Sequence, residues 1–383
     1  MKKLLIVAMA CALFAPAFAV ENVYVTGDIQ TIGLNVNDKD VAVVNGDKKG
    51  TTNRVLFGIG ADLVEDVTAK VTFAHRNTFG QDNVTGERVQ DVWDNTRLAE
   101  AYVKVANVFD ALEVKVGRQF YGDEKSAVLY FGPDYGYAVG NNYESLDGAT
   151  VRYNGEKFAL TAAYFSLVNT PVPFPGYPVP TTDQNLGGLD LDLKLSEQVS
   201  ANAYVYDVRQ KGADAWGFWG IKPTYESDNL KLGAEYAQNY GQHEKGWQVK
   251  ADLALPIATD DVTFTPRVTY LKSEKNFEAY GNYRPGLMFG TVLGIVNRGV
   301  AADWDILNVG ACLKFANLEK WGFGLDFYTG ERNDTWNGNS WEAKIVYNHN
   351  QYVAFNLTGA VLTNVRHLTA SPTAVQLGMN IKF

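Results

Sequence analysis

From Ala374 to Phe383 the chain alternates without exception: Val375, Leu377, Met379, Ile381 and Phe383 interleave with Ala374, Gln376, Gly378, Asn380 and Lys382. Side chains of a strand point to opposite faces at every step, so this segment carries one wholly apolar and one polar face. The pattern recurs. Leu189, Leu191, Leu193 and Leu195 alternate with Asp190, Asp192 and Lys194, and Trp247, Val249, Ala251, Leu253 and Leu255 alternate with Gln248, Lys250 and Asp252. Val262, Phe264, Pro266, Val268 and Tyr270 repeat it, as do Trp321, Phe323, Leu325 and Phe327. Strands that are greasy on one side and charged on the other need an apolar medium along one face. A bilayer is such a medium, and it tolerates a sheet only when the sheet closes and leaves no unpaired edge. The expected fold is therefore all-β, an antiparallel transmembrane β-barrel.

The start of the chain agrees. Lys2 and Lys3 precede an apolar run from Leu4 to Phe14, followed by Pro16 and the small-x-small triplet Ala17, Phe18, Ala19. Residues 1–19 read as a secretory signal peptide and residues 20–383 as a single barrel domain. Beyond that leader no run approaches the ~20 apolar residues of a spanning helix. With 43 acidic against 34 basic residues the net charge is -9. Loss of Lys2 and Lys3 makes the exported chain more acidic still, which leaves no basic footprint for nucleic acid. Cys312 is then the sole cysteine, so no intramolecular disulfide forms.

Short turns at Glu65-Asp66, Asn154 to Glu156, Ser196 to Gln198, Ser227-Asp228, Ala258 to Asp261 and Asn317 to Glu319 alternate with longer connections at 36–52, 77–94, 122–143, 169–183, 272–302 and 332–339. Outer-membrane barrels connect strands in this way, with short turns on the periplasmic side. Counting segments gives about eighteen strands, or about sixteen if one hairpin has been split in error. An even count places both termini in the periplasm. Trp247, Trp321, Trp341, Tyr270 and Tyr347 fall at stripe ends, as interfacial girdles require. Pro171, Pro173, Pro175, Pro178 and Pro180 mark an external, ladder-free loop.

Residues opposite the apolar stripes face the lumen. On that basis Arg54, Lys70, Arg76, Glu100, Lys104, Lys115, Arg152, Lys250 and Arg267 line the pore, within a wider inward set that includes Glu113, Glu235, Asp252, Asp326 and Glu342. So many charges require a wet interior. Arg and Lys there would act as weak, exchangeable sites for anionic or hydroxyl-rich solutes. Tyr130, Phe131, Tyr135 and Tyr137 in the 122–143 connection would either stack on sugar rings or pack within the loop.

One stretch is more specific. Arg97-Leu98-Ala99-Glu100-Ala101-Tyr102-Val103 is followed by Val116-Gly117-Arg118-Gln119, by Tyr121-Gly122-Asp123-Glu124, and by Asp147-Gly148-Ala149 ahead of Arg152-Tyr153. This succession resembles the alginate-export family of outer-membrane channels, and the terminal Phe383 resembles the closing strand of bacterial outer-membrane barrels. The resemblance implies a monomeric eighteen-stranded barrel whose lumen passes an anionic polysaccharide. It also implies that Glu100, Arg118, Gln119, Asp123 and Arg152 are lumen or constriction residues and that 122–143 is a loop able to narrow the pore. Strict alternation through Leu112, Val114 and Val116, however, puts Arg118 on the lipid face unless Gly117 forms a bulge.

The expected function is an outer-membrane channel for small hydrophilic or anionic solutes, acidic oligo- or polysaccharides included. A general porin or an adhesive barrel acting through its loops are the alternatives. Expected partners are outer-membrane lipid and the solute; a monomer is favoured over a homotrimer. Catalysis is not expected: His75, His243, His349 and His367 lie on separate segments, and no nucleophile-elbow or zinc-protease motif occurs. No cofactor or metal is expected either.

Overall fold

The computed structural model describes residues 22–37, 48–79, 96–133, 145–167, 184–210, 212, 214–241, 246–281, 283–292, 298–300, 303–332, 336–364 and 371–383. Residues 1–19, the proline-rich stretch, Tyr135 and Tyr137 fall outside them. Eighteen long strands make up the wall: β1 Asn22–Asn37, β2 Lys48–Val64, β3 Val67–Phe79, β4 Thr96–Val108, β5 Leu112–Gln119, β6 Leu146–Asn154, β7 Phe158–Leu167, β8 Gln184–Lys194, β9 Val199–Gln210, β10 Trp216–Glu226, β11 Lys231–Gly241, β12 Trp247–Ala254, β13 Val262–Ser273, β14 Trp304–Phe315, β15 Trp321–Arg332, β16 Trp336–Asn348, β17 Val353–Thr363 and β18 Thr373–Lys382. Each is antiparallel to the next, and β1 pairs with β18, so the sheet closes on itself. Closure is what lets such a sheet sit in hydrocarbon, because every ladder group finds a partner.

The seam is tied at its end by reciprocal bonds. The Gly27 amide donates to the Phe383 carbonyl at 2.7 Å and the Phe383 amide to the Gly27 carbonyl at 3.0 Å. A Cβ at Gly27 would collide with the Phe383 ring, so the glycine makes room for the terminal aromatic to lie across the seam.

Both ends of the wall chain and eight short turns lie at one end of the barrel. The tightest, Glu65-Asp66, needs Asp66 at φ 63, a left-handed conformation that aspartate tolerates better than most residues. The outward face is apolar: Val25, Phe57, Ile59, Val103, Val116, Leu189, Trp219, Trp341 and Leu377 are all exposed. Inward residues of the same wall, such as Arg54, Glu100, Glu235 and Asp326, are buried. The alternation thus separates a lipid face from a charged lumen, as the periodicity predicts. Among the described residues no helix is long and apolar enough to cross a membrane.

Candidate functional site: the lumen

The inner wall carries three patches of ion pairs. On β1 to β5, Arg54 reaches Asp28 at 3.3 Å and Lys70 reaches Glu100 at 2.9 Å. Thr72 donates to the same Glu100 carboxylate at 3.0 Å. Lys104 lies 3.6 Å from Glu113, and the Lys115 ammonium stands 3.9 Å from the centre of the Tyr102 ring. Glu100 owes its position to a bulge: Thr72 pairs with Glu100 but Phe73 with Leu98, leaving Ala99 as the extra residue. The second patch joins β6, β7, β8 and β9. Arg152 donates to Asp192 at 2.9 Å, to Asn154 at 2.9 Å and to Thr161 at 3.1 Å, while Asn202 bridges Asp190 (2.5 Å) and Asp192 (2.9 Å). The third patch pairs Lys250 with Asp252, and Arg267 donates two bonds to Asp326 at 3.1 and 2.5 Å. Arg76 has its backbone in register with Arg54.

Two segments fold into the lumen from the opposite end to the short turns. The first follows β5. Gln119 is fully buried, and the chain turns at Gly122, whose φ of 92 and close approach to the Leu129 carbonyl exclude a side chain. Ser126 to Gly132 are buried against the wall. Asp123 forms an ion pair with Lys222 and accepts the Lys125 amide at 2.9 Å. Burial opposes ionisation of that carboxyl, but Lys222 and the Lys125 amide outweigh it and hold it below the ordinary carboxylate range. The second segment lies between β13 and β14. Phe277, Ala279 and Leu287 to Phe289 are buried: the first two join a cluster with the wall residues Tyr206, Trp216 and Phe218, and Leu287 to Phe289 pack with Leu34, Val36, Leu271, Ile306 and Leu362. The sequence pattern predicts 272–302 to be an external connection; the structure instead buries Phe277, Ala279, Gly281 and Leu287 to Gly290 inside. The run Phe277, Tyr280, Tyr283, Leu287, Met288, Phe289 is too apolar for a solvated loop, and the inner wall offers it a matching surface.

The inward segments touch each other. The Tyr280 amide donates to the Val128 carbonyl at 2.8 Å, and the Phe131 and Tyr280 rings lie 5.2 Å apart. Tyr130 and Phe131, weighed from sequence as rings that stack on sugars or pack within the loop, are 7% and 3% exposed and are consumed by that packing. Beside the first segment, toward the short turns, a cavity of about 410 Å³ is bounded by Tyr121, Asp123, Arg152, Asp190, Asn202 and Lys222, among others. Asp190, Asn202 and Lys222 lie outside the residues expected at the site. A signal for the first exists, since Asp190 and Asp192 alternate with the outward leucines of β8.

Arg118 stands apart from the lumen. The register is unbroken through Gly117 and pairs Arg118 with Ala101 and Asp147, on the face that also carries Val103 and Val116. Gly117, at φ 126, lies so close to the Ala101 carbonyl that a Cβ would collide with it. The glycine therefore relieves a close strand approach rather than turning the arginine inward. The guanidinium is held by two 2.7 Å bonds to Asp147 and one of 3.2 Å to the Leu98 carbonyl. A bidentate partner neutralises the charge where an isolated one would be costly. Asp147→Ala is expected to destabilise the barrel by about 2 kcal/mol by taking that carboxylate away from a guanidinium beside lipid, with Asp147→Ala/Arg118→Leu largely restored. Urea unfolding in detergent micelles, followed by tryptophan fluorescence, measures both.

No family model matches the sequence, and no curated protein matches it. Solved structures do. A BenF-like porin from Pseudomonas fluorescens Pf-5 superposes with a TM-score of 0.63 at 11% identity, covering 95% of this chain and 99% of that one. Acinetobacter baumannii OccAB1 gives 0.62 at 12%, covering 95% and 97%, and Pseudomonas aeruginosa OpdO 0.62 at 12%, covering 95% and 98%. What they share is the barrel fold. The resemblance of Arg97 to Tyr153 to the alginate-export family finds no support in these likenesses; the coarser likeness, to porin-type barrels, is the one that holds. Among the described residues no cluster could hold a metal ion.

Proposed function

We propose that this protein is a bacterial outer-membrane channel for passive diffusion of small hydrophilic solutes. One observation carries the reading: among the described residues, a closed barrel with an apolar outside and a charged inside has its lumen narrowed by two short segments of its own wall connections. The cavity of about 410 Å³ beside the first segment suits a solute of one or two sugar or amino-acid units. An extended polyuronate needs a continuous wide passage, so the inward segments favour small solutes over a polymer. The end that carries the short turns faces the periplasm, following the usual design of such barrels.

Charge selectivity is expected to be weak, because each of the cations Arg54, Lys70, Lys104, Arg152, Lys222, Lys250 and Arg267 stands against a carboxylate. Asp190 is different. It accepts the Asn202 amide, and among the described residues no cation stands in ion-pair contact with it, so it adds negative charge to the chamber. Asp190→Asn is expected to lower the cation-to-anion permeability ratio roughly twofold, read as a shift of reversal potential in a salt gradient. Swelling of proteoliposomes in isosmotic solutes tests the main reading. Entry of monosaccharides and amino acids, with exclusion of polyuronates, supports it; exclusion of every small solute by correctly folded protein contradicts it.

A further inference from the structure

The two inward segments are each held at a bend by one buried glutamate of the wall. Where the first segment bends, Glu235 of β11 accepts the Ser126 hydroxyl at 2.7 Å, the Ala127 amide at 2.9 Å and the Tyr204 hydroxyl at 3.1 Å. Where the second bends, Glu342 of β16 accepts the Leu287 amide at 2.8 Å, the Met288 amide at 2.9 Å and the Ser340 hydroxyl at 3.3 Å. Glu235 is 3% and Glu342 5% exposed. Both bends leave backbone donors without ladder partners, and a buried donor left unmade is costly. A carboxylate offers acceptor positions for several donors at once, which a hydroxyl or amide cannot match. Gly286, at φ 65, completes the second contact: a Cβ there would lie 2.6 Å from the Glu342 carboxylate.

We propose that Glu235 and Glu342 are positioning residues that latch the two segments into the lumen and so set its free cross-section. The inference rests on the barrel and its inward segments and holds whatever solute the channel carries. Neighbouring bonds assist without replacing the latches. Asn239 exchanges bonds with Glu278 at 2.7 and 2.9 Å, and Gln248 donates to the Ala127 carbonyl at 3.3 Å, but neither serves the Ser126-Ala127 or Leu287-Met288 donors. Glutamine at either latch keeps the size and turns one acceptor oxygen into a donor facing other donors.

The test reads exposure of the segments, not conduction, so it stands apart from the channel reading. In a Cys312→Ser background, Leu129→Cys and Met288→Cys report on the first and second segment through their rate of labelling by a water-soluble maleimide. Both positions are buried in the latched state. Glu235→Gln is expected to speed labelling at position 129 at least tenfold and Glu342→Gln to do the same at position 288, with the barrel still migrating as the folded form on unheated gels. If either glutamine variant fails to fold, Ser126→Ala removes a donor of the first segment from Glu235 and Ser340→Ala removes the wall hydroxyl that holds the Glu342 carboxylate, with a smaller increase expected in each. Unchanged labelling in folded variants would overturn the proposal, showing that apolar packing alone holds the segments. Conductance of the parent protein, measured separately, decides the channel reading independently.

Discussion

Arg54→Met is expected to lower the unfolding free energy of the barrel by about 3 kcal/mol, because it leaves the Asp28 carboxylate buried without its close partner. The pair sits beside the seam: Arg54 is 3% exposed, and its guanidinium contacts Asp28 at 3.3 Å across the β1–β2 ladder. Lys382 of β18 lies farther, at 3.9 Å from the other Asp28 oxygen, and is mostly solvated. Removing the arginine therefore takes the nearest cation away from a buried carboxylate at the point where the sheet closes. The double variant Arg54→Met/Asp28→Leu, which removes both charges, should recover most of the loss, since replacing a whole buried pair by apolar groups is often neutral. Equilibrium unfolding in urea from lipid or detergent measures both. Equal destabilisation in the single and double variants would place the effect in packing rather than charge.

The second large effect concerns passage. Replacing residues 124–132 by a short glycine-serine linker removes the segment that Glu235 holds and opens the cavity it bounds. Single-channel conductance is expected to rise roughly two- to fivefold, with a larger solute cut-off in liposome swelling. The aromatic cluster exposed by the change, Tyr204, Tyr206, Trp216, Phe218 and Tyr280, packs mainly within itself and against the wall. The barrel should therefore persist, because its wall ladder does not depend on the segment. An unaltered conductance would mean that the narrowest point lies elsewhere.

Much of the wall was legible in the sequence because the bilayer makes one face uniformly apolar, and a period of two is hard to mimic by chance over ten residues. Leu189 to Leu195 and Val375 to Phe383 show this best. The strand count followed from turns such as Glu65-Asp66. The contents of the lumen were harder to see. Inward loops follow no period, so 277–292 reads like any long external connection, although its density of apolar residues was a clue. Arg118 shows a different difficulty. Alternation assigned it outward, the family resemblance assigned it to the lumen, and the register follows the alternation, with Asp147 as the partner that makes the outward position tolerable. Pairing between residues 29 positions apart leaves no local signature in either strand.

Passage of small solutes through the lumen is tested most directly by the current through single molecules of the refolded chain in a planar bilayer. Discrete, steady steps of small conductance and weak ion selectivity are expected, reduced by small sugars or amino acids and left unblocked by polyuronates. Folded protein that inserts and passes no current would contradict the channel reading.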